Sequence, residues 1–291
     1  MNNKKQESLR VTLLGTGGPP PILDRFGPST LVEAGGRKFL FDAGRGALQR
    51  LFQLKIPFAD ISGLFLTHLH SDHVVGIPDL WLTGWIGQAW GGRKAALPVW
   101  GPAETKEMMA HLERAFQFDI RIRSHYPREG AAIVAEDFTQ GIVYEKNGLK
   151  VTAFEVDHGR VKPAFGFRID YAGRSVVLSG DTRLNENLIC FAQGADLLVH
   201  EVIVTTEALQ RASELERIIA GNHTPPEQAG EVFNRAQPKL ALYSHILLRG
   251  DLTVSDLISL TRKTYSGLFE VGEDLMTIEV GEKAEVRRFR E

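Results

Sequence analysis

Cysteine is nearly missing from this chain. The single Cys190 among 291 residues excludes an internal disulfide and any multi-cysteine zinc site or cluster, so a transition metal held here must take His, Asp or Glu ligands. Long apolar runs are missing too: none approaches the ~18 residues of a membrane span, and no membrane partner is expected. Behind Met1-Asn2-Asn3-Lys4-Lys5 there is no apolar core of a signal peptide. The expectation is a cytoplasmic protein, with a removed leader and a periplasmic or secreted location as the alternative. A surplus of positive charge is also lacking. Lys and Arg number 34 against 36 Asp and Glu, a net −2, which argues against a protein built around non-specific nucleic-acid binding. There is no low-complexity tract and no tandem repeat of roughly 20–50 residues. The 43% hydrophobic and 24% charged composition rules out wholesale disorder, and the length suffices for a core that needs no disulfide.

What the chain does contain is a recurring unit, an apolar run that ends in a polar, ligand-type residue. Leu64-Phe65-Leu66 precedes Thr67-His68, Val151–Val156 precedes Asp157-His158, and Ser175–Leu178 precedes Ser179-Gly180-Asp181. Leu197–Val199 precedes His200-Glu201, and Leu240–Tyr243 precedes Ser244-His245. Such Val/Leu/Ile/Phe runs suit strands buried on both faces, and polar groups just past strand carboxyl ends are where open α/β sheets place their sites. Leu9–Leu14 predicts an opening strand. Thr30–Glu33 and Arg37–Phe41 predict a hairpin around Gly35-Gly36, closed by Asp42-Ala43-Gly44, and Gly46–Lys55 has helical spacing. Segments 72–83, 102–117, 183–193, 205–220 and 225–236 hold the other predicted helices. The prediction is layered α/β (α+β) with mixed sheets and no linker that would divide residues 1–291.

Thr67-His68-Leu69-His70-Ser71-Asp72-His73 packs three imidazoles and a carboxylate into a short stretch. Imidazole nitrogen and carboxylate oxygen are good zinc ligands, and a set without cysteine fits a catalytic rather than a closed structural site. At an extended strand end His68 and His70 point the same way. Asp72 and His73 lie past the turn and reach a second point, so one motif can feed two adjacent metals. A surface loop gains nothing from three imidazoles, and a core could not readily desolvate them together.

This His-x-His-x-Asp-His pattern after a strand resembles the metallo-β-lactamase superfamily. Leu14-Gly15-Thr16-Gly17, Phe41-Asp42-Ala43-Gly44 and the downstream ligands extend the resemblance over essentially the whole chain. It implies a four-layer αββα sandwich, one domain over 1–291, with the site at one edge of the two sheets. It implies His68, His70 and His158 as ligands of a first metal and Asp72, His73 and His245 as ligands of a second. Asp181, in Leu178-Ser179-Gly180-Asp181-Thr182, would bridge both. Two Zn2+ are the expected cofactors, with Mn2+ or Fe compatible with the same ligand types. Leu198-Val199-His200-Glu201 and Gly221-Asn222-His223-Thr224-Pro225 resemble motifs of the ribonuclease Z-like branch, which includes arylsulfatase-like hydrolases. In that reading Glu201 orients His223, and His223 contacts the transferring group or the leaving oxygen. Taken without the family, His223-Thr224-Pro225 reads as a helix start capped by Thr224.

The expected chemistry is attack by a hydroxide bridging the two zinc ions, since coordination lowers the pKa of water to about 7, with Asp72 orienting it or taking its proton. Two departures from ribonuclease Z shape the expected substrate. Only 22 residues separate His158 from Asp181, where the bacterial tRNA-processing enzymes insert a long basic arm. Ile246-Leu247-Leu248-Arg249 also replaces the aromatic, Ser-Pro-Arg-Tyr-like stretch after the last ligand. The expectation is therefore a hydrolase of small anionic sulfate or phosphate (di)esters, arylsulfatase- or phosphodiesterase-like. Nucleic acid is not expected as a partner, and a homodimer is, by analogy. The alternatives are a lactonase or β-lactamase-type ring hydrolase, for which Tyr243, two residues from His245, is the residue of interest, and a ribonuclease Z-type tRNA 3′-processing endonuclease.

The segment 79–128 is expected to be a specificity insertion. It holds Trp81, Trp85, Trp90 and Trp100 among Gly84, Gly87, Gly91 and Gly92, either walling a pocket for an aromatic leaving group or packing as a helix face. Arg121, Arg123 and Arg128 read as a solvated face, His111 and His125 as surface residues, and Cys190 as inert packing. Asp42 is expected to brace the site through hydrogen bonds.

Overall fold

The computed structural model describes residues 8–87 and 89–290. The opening residues on which the leader expectation rests, and Gln88 within 79–128, lie outside them. The first sheet holds β1 (Leu9–Gly15), β2 (Ser29–Ala34), β3 (Arg37–Phe41), β4 (Gly63–Phe65), β5 (Leu97–Gly101), β6 (Ile133–Asp137), β14 (Thr277–Val280) and β15 (Ala284–Arg287). Their order is β15-β14-β1-β2-β3-β4-β5-β6. The β2–β3 turn has φ 57° at Gly35 and 72° at Gly36, the left-handed pair that a two-residue hairpin requires. The second sheet holds β7 (Gly141–Lys146), β8 (Leu149–Glu155), β9 (Phe165–Tyr171), β10 (Arg174–Leu178), β11 (Leu197–Val204), β12 (Leu240–Leu248) and β13 (Phe269–Val271), in the order β13-β12-β11-β10-β9-β8-β7.

Alternation along the strands builds the layers. Phe39 and Phe41 face the second sheet and meet Phe167 and Val151, while Leu40 between them faces outward. Outside the first sheet lie α1 (Ala47–Gln53), α2 (Ser71–Val74), α3 (Ile77–Ile86), α4 (Thr105–Ala115) and α5 (Gln117–Ile122). With the second sheet go α6 (Glu186–Ala192), α7 (Glu207–Ala212), α8 (Glu214–Ala220), α9 (Pro226–Ala236) and α10 (Val254–Thr261). Leu188, Val232 and Leu257 of α6, α9 and α10 pack on Val177, Leu198 and Ala241. The result is the four-layer αββα sandwich.

One open reading is decided and two need correction. Of the two readings of the 79–128 tryptophans, packing holds for Trp81 and Trp85 on α3: both are fully buried, and their Nε1 atoms donate to Ala131 O (2.9 Å) and Pro127 O (2.8 Å). Trp90 packs edge-on to Phe52, and Trp100 of β5 stacks on Phe65. Cys190 is exposed, because α6 turns Leu188, Ile189 and Ala192 inward and carries position 190 to the outer side. Tyr243 does not share a face with His245. The β11–β12 ladder pairs His200 with Tyr243 and then Val202 with Ile246, so Ser244 and His245 together oppose Glu201. This bulge, with φ 45° at His245, breaks the alternation. Tyr243 is consequently buried on the helix side, its hydroxyl 2.9 Å from Thr261 Oγ1.

Candidate metal centre

The candidate ligands collect where strands of both sheets end. β4 delivers Thr67 and His68, and the turn into α2 delivers His70, Asp72 and His73. After β10 the chain bends at Gly180 (φ 60°), where a Cβ would lie 2.4 Å from Phe165 O, and this bend carries Asp181 inward. His158 follows β8, and the bulge presents His245.

Two groups form around one carboxylate. In the first, His68 Nε2 and His158 Nε2 lie 3.0 and 3.4 Å from His70 Nδ1, and 3.8 and 3.9 Å from Asp181 Oδ2. In the second, His73 Nε2 and His245 Nε2 lie 3.7 and 3.4 Å from Asp72 Oδ2, and each lies 3.4 Å from Asp181 Oδ2. Tetrahedral ligands about 2.0–2.1 Å from zinc stand about 3.3–3.4 Å apart, so these spacings suit a first shell. The donor set fits as well. Nitrogens of five imidazoles converge on two carboxylates, and His73 Nε2 is buried with no hydrogen-bond partner. Both groups are able to hold a divalent cation, with Asp181 shared between them.

The nitrogens facing away from the cluster are mostly anchored, which orients a ligand imidazole. Asp42 Oδ2 lies 2.7 Å from His73 Nδ1, and Asp42 also accepts from the Thr67 amide (2.9 Å) and hydroxyl (2.8 Å). It braces the site and does not enter it. His158 Nδ1 donates to Asn222 O at 2.9 Å, and His68 Nδ1 sits 3.0 Å from Thr67 Oγ1. Burial, joined by the neighbouring His73 for His68, holds His68, His70 and His158 below the usual histidine range, in the neutral form that binds metal. For Asp181 burial acts upward, but His245 and His73 outweigh it and keep the carboxylate ionised.

Beside the cluster stands a second pair. His223 Nδ1 lies 3.2 Å from Glu201 Oε2, an ion-pair contact rather than an aligned hydrogen bond. Glu201 Oε1 accepts from the Thr182 and Thr224 amides, each at 3.1 Å. Burial acts to deprotonate His223, but the charges of Glu201 and Asp181 prevail and raise its pKa to about 9. Its ring stacks on that of His245 at 5.6 Å. Thr224 caps no helix: α9 starts at Pro226 without a side-chain cap, and the Thr224 hydroxyl donates to Thr182 O. His200 of the same motif lies apart, fully buried against Phe233 with Nδ1 donating to Glu201 O at 2.6 Å. His111 and His125 are exposed. The sequence reading missed Thr182 and Asn222, which act here through backbone amide and carbonyl groups and so leave no side-chain signature.

Fold and site together define a metal-dependent hydrolase. Residues 37–246 match the family described as the beta-lactamase superfamily domain, and the chain belongs to this metallo-β-lactamase superfamily. A protein of Mycobacterium bovis (strain BCG / Pasteur 1173P2) named ribonuclease Z is 37% identical over 276 residues, which cover 94% of this chain and 98% of that protein. Among solved structures, the metallo-beta-lactamase fold protein YhfI from Bacillus subtilis aligns with a TM-score of 0.72 at 18% identity, over 94% of this chain and 99% of that one. The short form of human tRNase Z aligns at 0.70 and 22% identity, with the same coverage. These findings overturn the expectation that nucleic acid is not a partner. That expectation rested on the missing arm and the net charge, and the relatives named ribonuclease Z and tRNase Z overturn it.

Proposed function

We propose that the protein is a metal-dependent phosphodiesterase that cleaves RNA, as a ribonuclease Z does. The observation that carries this is the 37% identity to a protein of that name over 94% of the chain. In this reading His68, His70, His158 and Asp181 hold one Zn2+, and Asp72, His73 and His245 with the shared Asp181 hold another. The ions supply Lewis acidity toward the phosphate and toward water. Asp72, at the edge of the second group, is placed to orient an attacking water and take its proton. His223, kept protonated by Glu201, is placed to donate to the leaving oxygen, and the two Thr amides on Glu201 hold that donor in line. Arg160 and Lys162, in the loop that carries His158, are exposed and have no ion-pair partner among the described residues, so both are free to meet a phosphate backbone.

A second reading, hydrolysis of small phosphodiesters or aryl sulfates, is favoured by one feature: β9 and β10 form a short hairpin with nothing inserted before Asp181. The test is kcat/KM of zinc-loaded protein on a precursor tRNA with a 3′ trailer, an aryl phosphodiester, an aryl sulfate and a lactone. The RNA is expected to exceed the others. An aryl sulfate or lactone as preferred substrate would overturn the ribonuclease reading.

A further inference from the structure

His245 differs from the other buried candidate-ligand histidines. His68, His73 and His158 each have a partner for the ring nitrogen that faces away from the cluster, whereas His245 Nδ1 is buried with none. On its cluster side Nε2 reaches Asp72 Oδ2 at 3.4 Å, and the rings of His73 and His223 stack on it, but no hydrogen bond holds the outward nitrogen. Loop 16–27, between β1 and β2, also rests against the ring. A Cβ placed on Gly18 would stand 3.4 Å from His245 Cε1, 3.6 Å from His245 Nε2 and 2.3 Å from Leu247 Cδ2. Thr16 O accepts from the Ile246 amide at 2.8 Å, one residue past the bulge. The neck of the loop is closed tightly: Gly17 N donates to Phe26 O at 2.8 Å, and a Cβ on Gly15 would lie 1.9 Å from Gly27 O.

Asp274, far along the chain, holds this loop. Its carboxylate is only 4% exposed and accepts from Thr16 N (2.9 Å), Thr16 Oγ1 (2.8 Å) and Phe26 N (2.8 Å). Arg50 closes the carboxylate from the other side with Nε at 3.2 Å and Nη2 at 2.8 Å. Arg25 ties the same corner, donating to Thr16 Oγ1 and Gly272 O. A buried carboxylate with this many donors costs a great deal to leave unsatisfied, so the two ends of the loop are held in place.

We infer that Asp274 is the positioning residue for His245: it fixes the ends of loop 16–27, the loop borders the Cε1–Nε2 edge of the imidazole, and that edge sets the second cation position. The inference rests on reading His245 as a ligand. Apo protein is titrated with Co2+, following ligand-field absorption and counting bound ions by native mass spectrometry. Wild type is expected to bind two. Asp274→Asn turns an acceptor toward the Thr16 and Phe26 amides into a partial donor. It is expected to weaken one Co2+ by tenfold or more, with an altered spectrum, and to leave the other within threefold. Gly18→Ala displaces the loop at that edge without touching Asp274 and is expected to give the same selective loss. Met109→Ala, in the packing under α4, lowers Tm and leaves both ions bound as in wild type. Two ions bound with unchanged affinity by Gly18→Ala, or by folded Asp274→Asn, overturn the inference. So does equal weakening of both ions in every variant, Met109→Ala included. Fewer than two ions on wild type would instead overturn the two-cation reading, and this inference with it.

Discussion

Asp42 stands in the left-handed region, φ 61°, where a short polar side chain with local hydrogen bonds is tolerated, and it receives the Thr67 amide, the Thr67 hydroxyl and His73 Nδ1. That contact keeps a proton on His73 Nδ1, which would leave Nε2 as the ligand atom toward the cluster when a cation is bound. Asp42→Asn is expected to lower affinity for one cation by about 10–100-fold, measured by chelator competition. His68→Ala should lose the first cation and all turnover, and retained turnover without that cation would sink the shared-carboxylate scheme. His223→Ala should bind both cations yet lose about 10²–10⁴ in kcat, the usual range for a lost proton donor. Loss of metal in that variant would make the residue structural. These side chains were legible in the sequence because imidazoles and carboxylates crowded into a short motif have few other uses. The supports of Glu201 were not, since any residue at 182 or 224 except proline supplies an amide.

The β11–β12 bulge decides a question that spacing alone misjudged. Residues two apart share a face only in a regular strand, and the extra residue at His245 sends Tyr243 to the opposite side. Thr261 Oγ1 gives its proton to Leu257 O, so the tyrosine hydroxyl is the donor in their contact. Tyr243→Phe is expected to cost about 1 kcal/mol and to leave kcat unchanged; a loss of activity would return the ring-hydrolase alternative. On α3, Trp85→Ala should destabilise by about 3–5 kcal/mol without separating aryl from alkyl substrates, because its indole fills core. At the foot of the second sheet Asp196 joins elements by accepting from Ser175 N and Lys239 Nζ. Burial acts upward on its pKa, but the Lys239 and Ser175 hydrogen bonds and the charges of Lys239 and Arg174 hold it below the usual carboxylate value. A depressed folded pKa means its stabilisation is complete above the unfolded value of about 3.9 and fades as pH falls through the folded value. Asp196→Asn should therefore lower Tm at neutral pH and flatten its decline in acid. An acid limb parallel to wild type would assign that limb to other carboxylates. The strands that end in ligands and most helices were readable from apolar periodicity, whereas β5–β7, β13–β15, α5 and α10 were not read as elements.

Across the molecule, the sandwich and the cluster could be read from the sequence, while the partner could not. Net charge averages over a surface on which a few free cations near the centre matter more than the sum. Replacing both Arg160 and Lys162 with alanine is expected to raise KM for RNA several-fold and to reduce the slope of log affinity against log salt by about one to two, one phosphate contact each. An unchanged slope would remove that loop from the RNA face. Alanines at Lys106 and Arg114 on α4 serve as the control and should change neither quantity. The order of the first sheet has a different sort of consequence. β1 lies between β2, the next strand in sequence, and β14, which among the described strands is followed only by β15. A growing polypeptide that has reached β11 already carries His68, His70, Asp72, His73, His158 and Asp181, but not His223, His245 or Asp274. Until β12 and β14 are made, β1 has one edge unpaired and the second candidate group lacks His245, so that group closes late, once β12 has joined β11 and β14 has returned to lie beside β1.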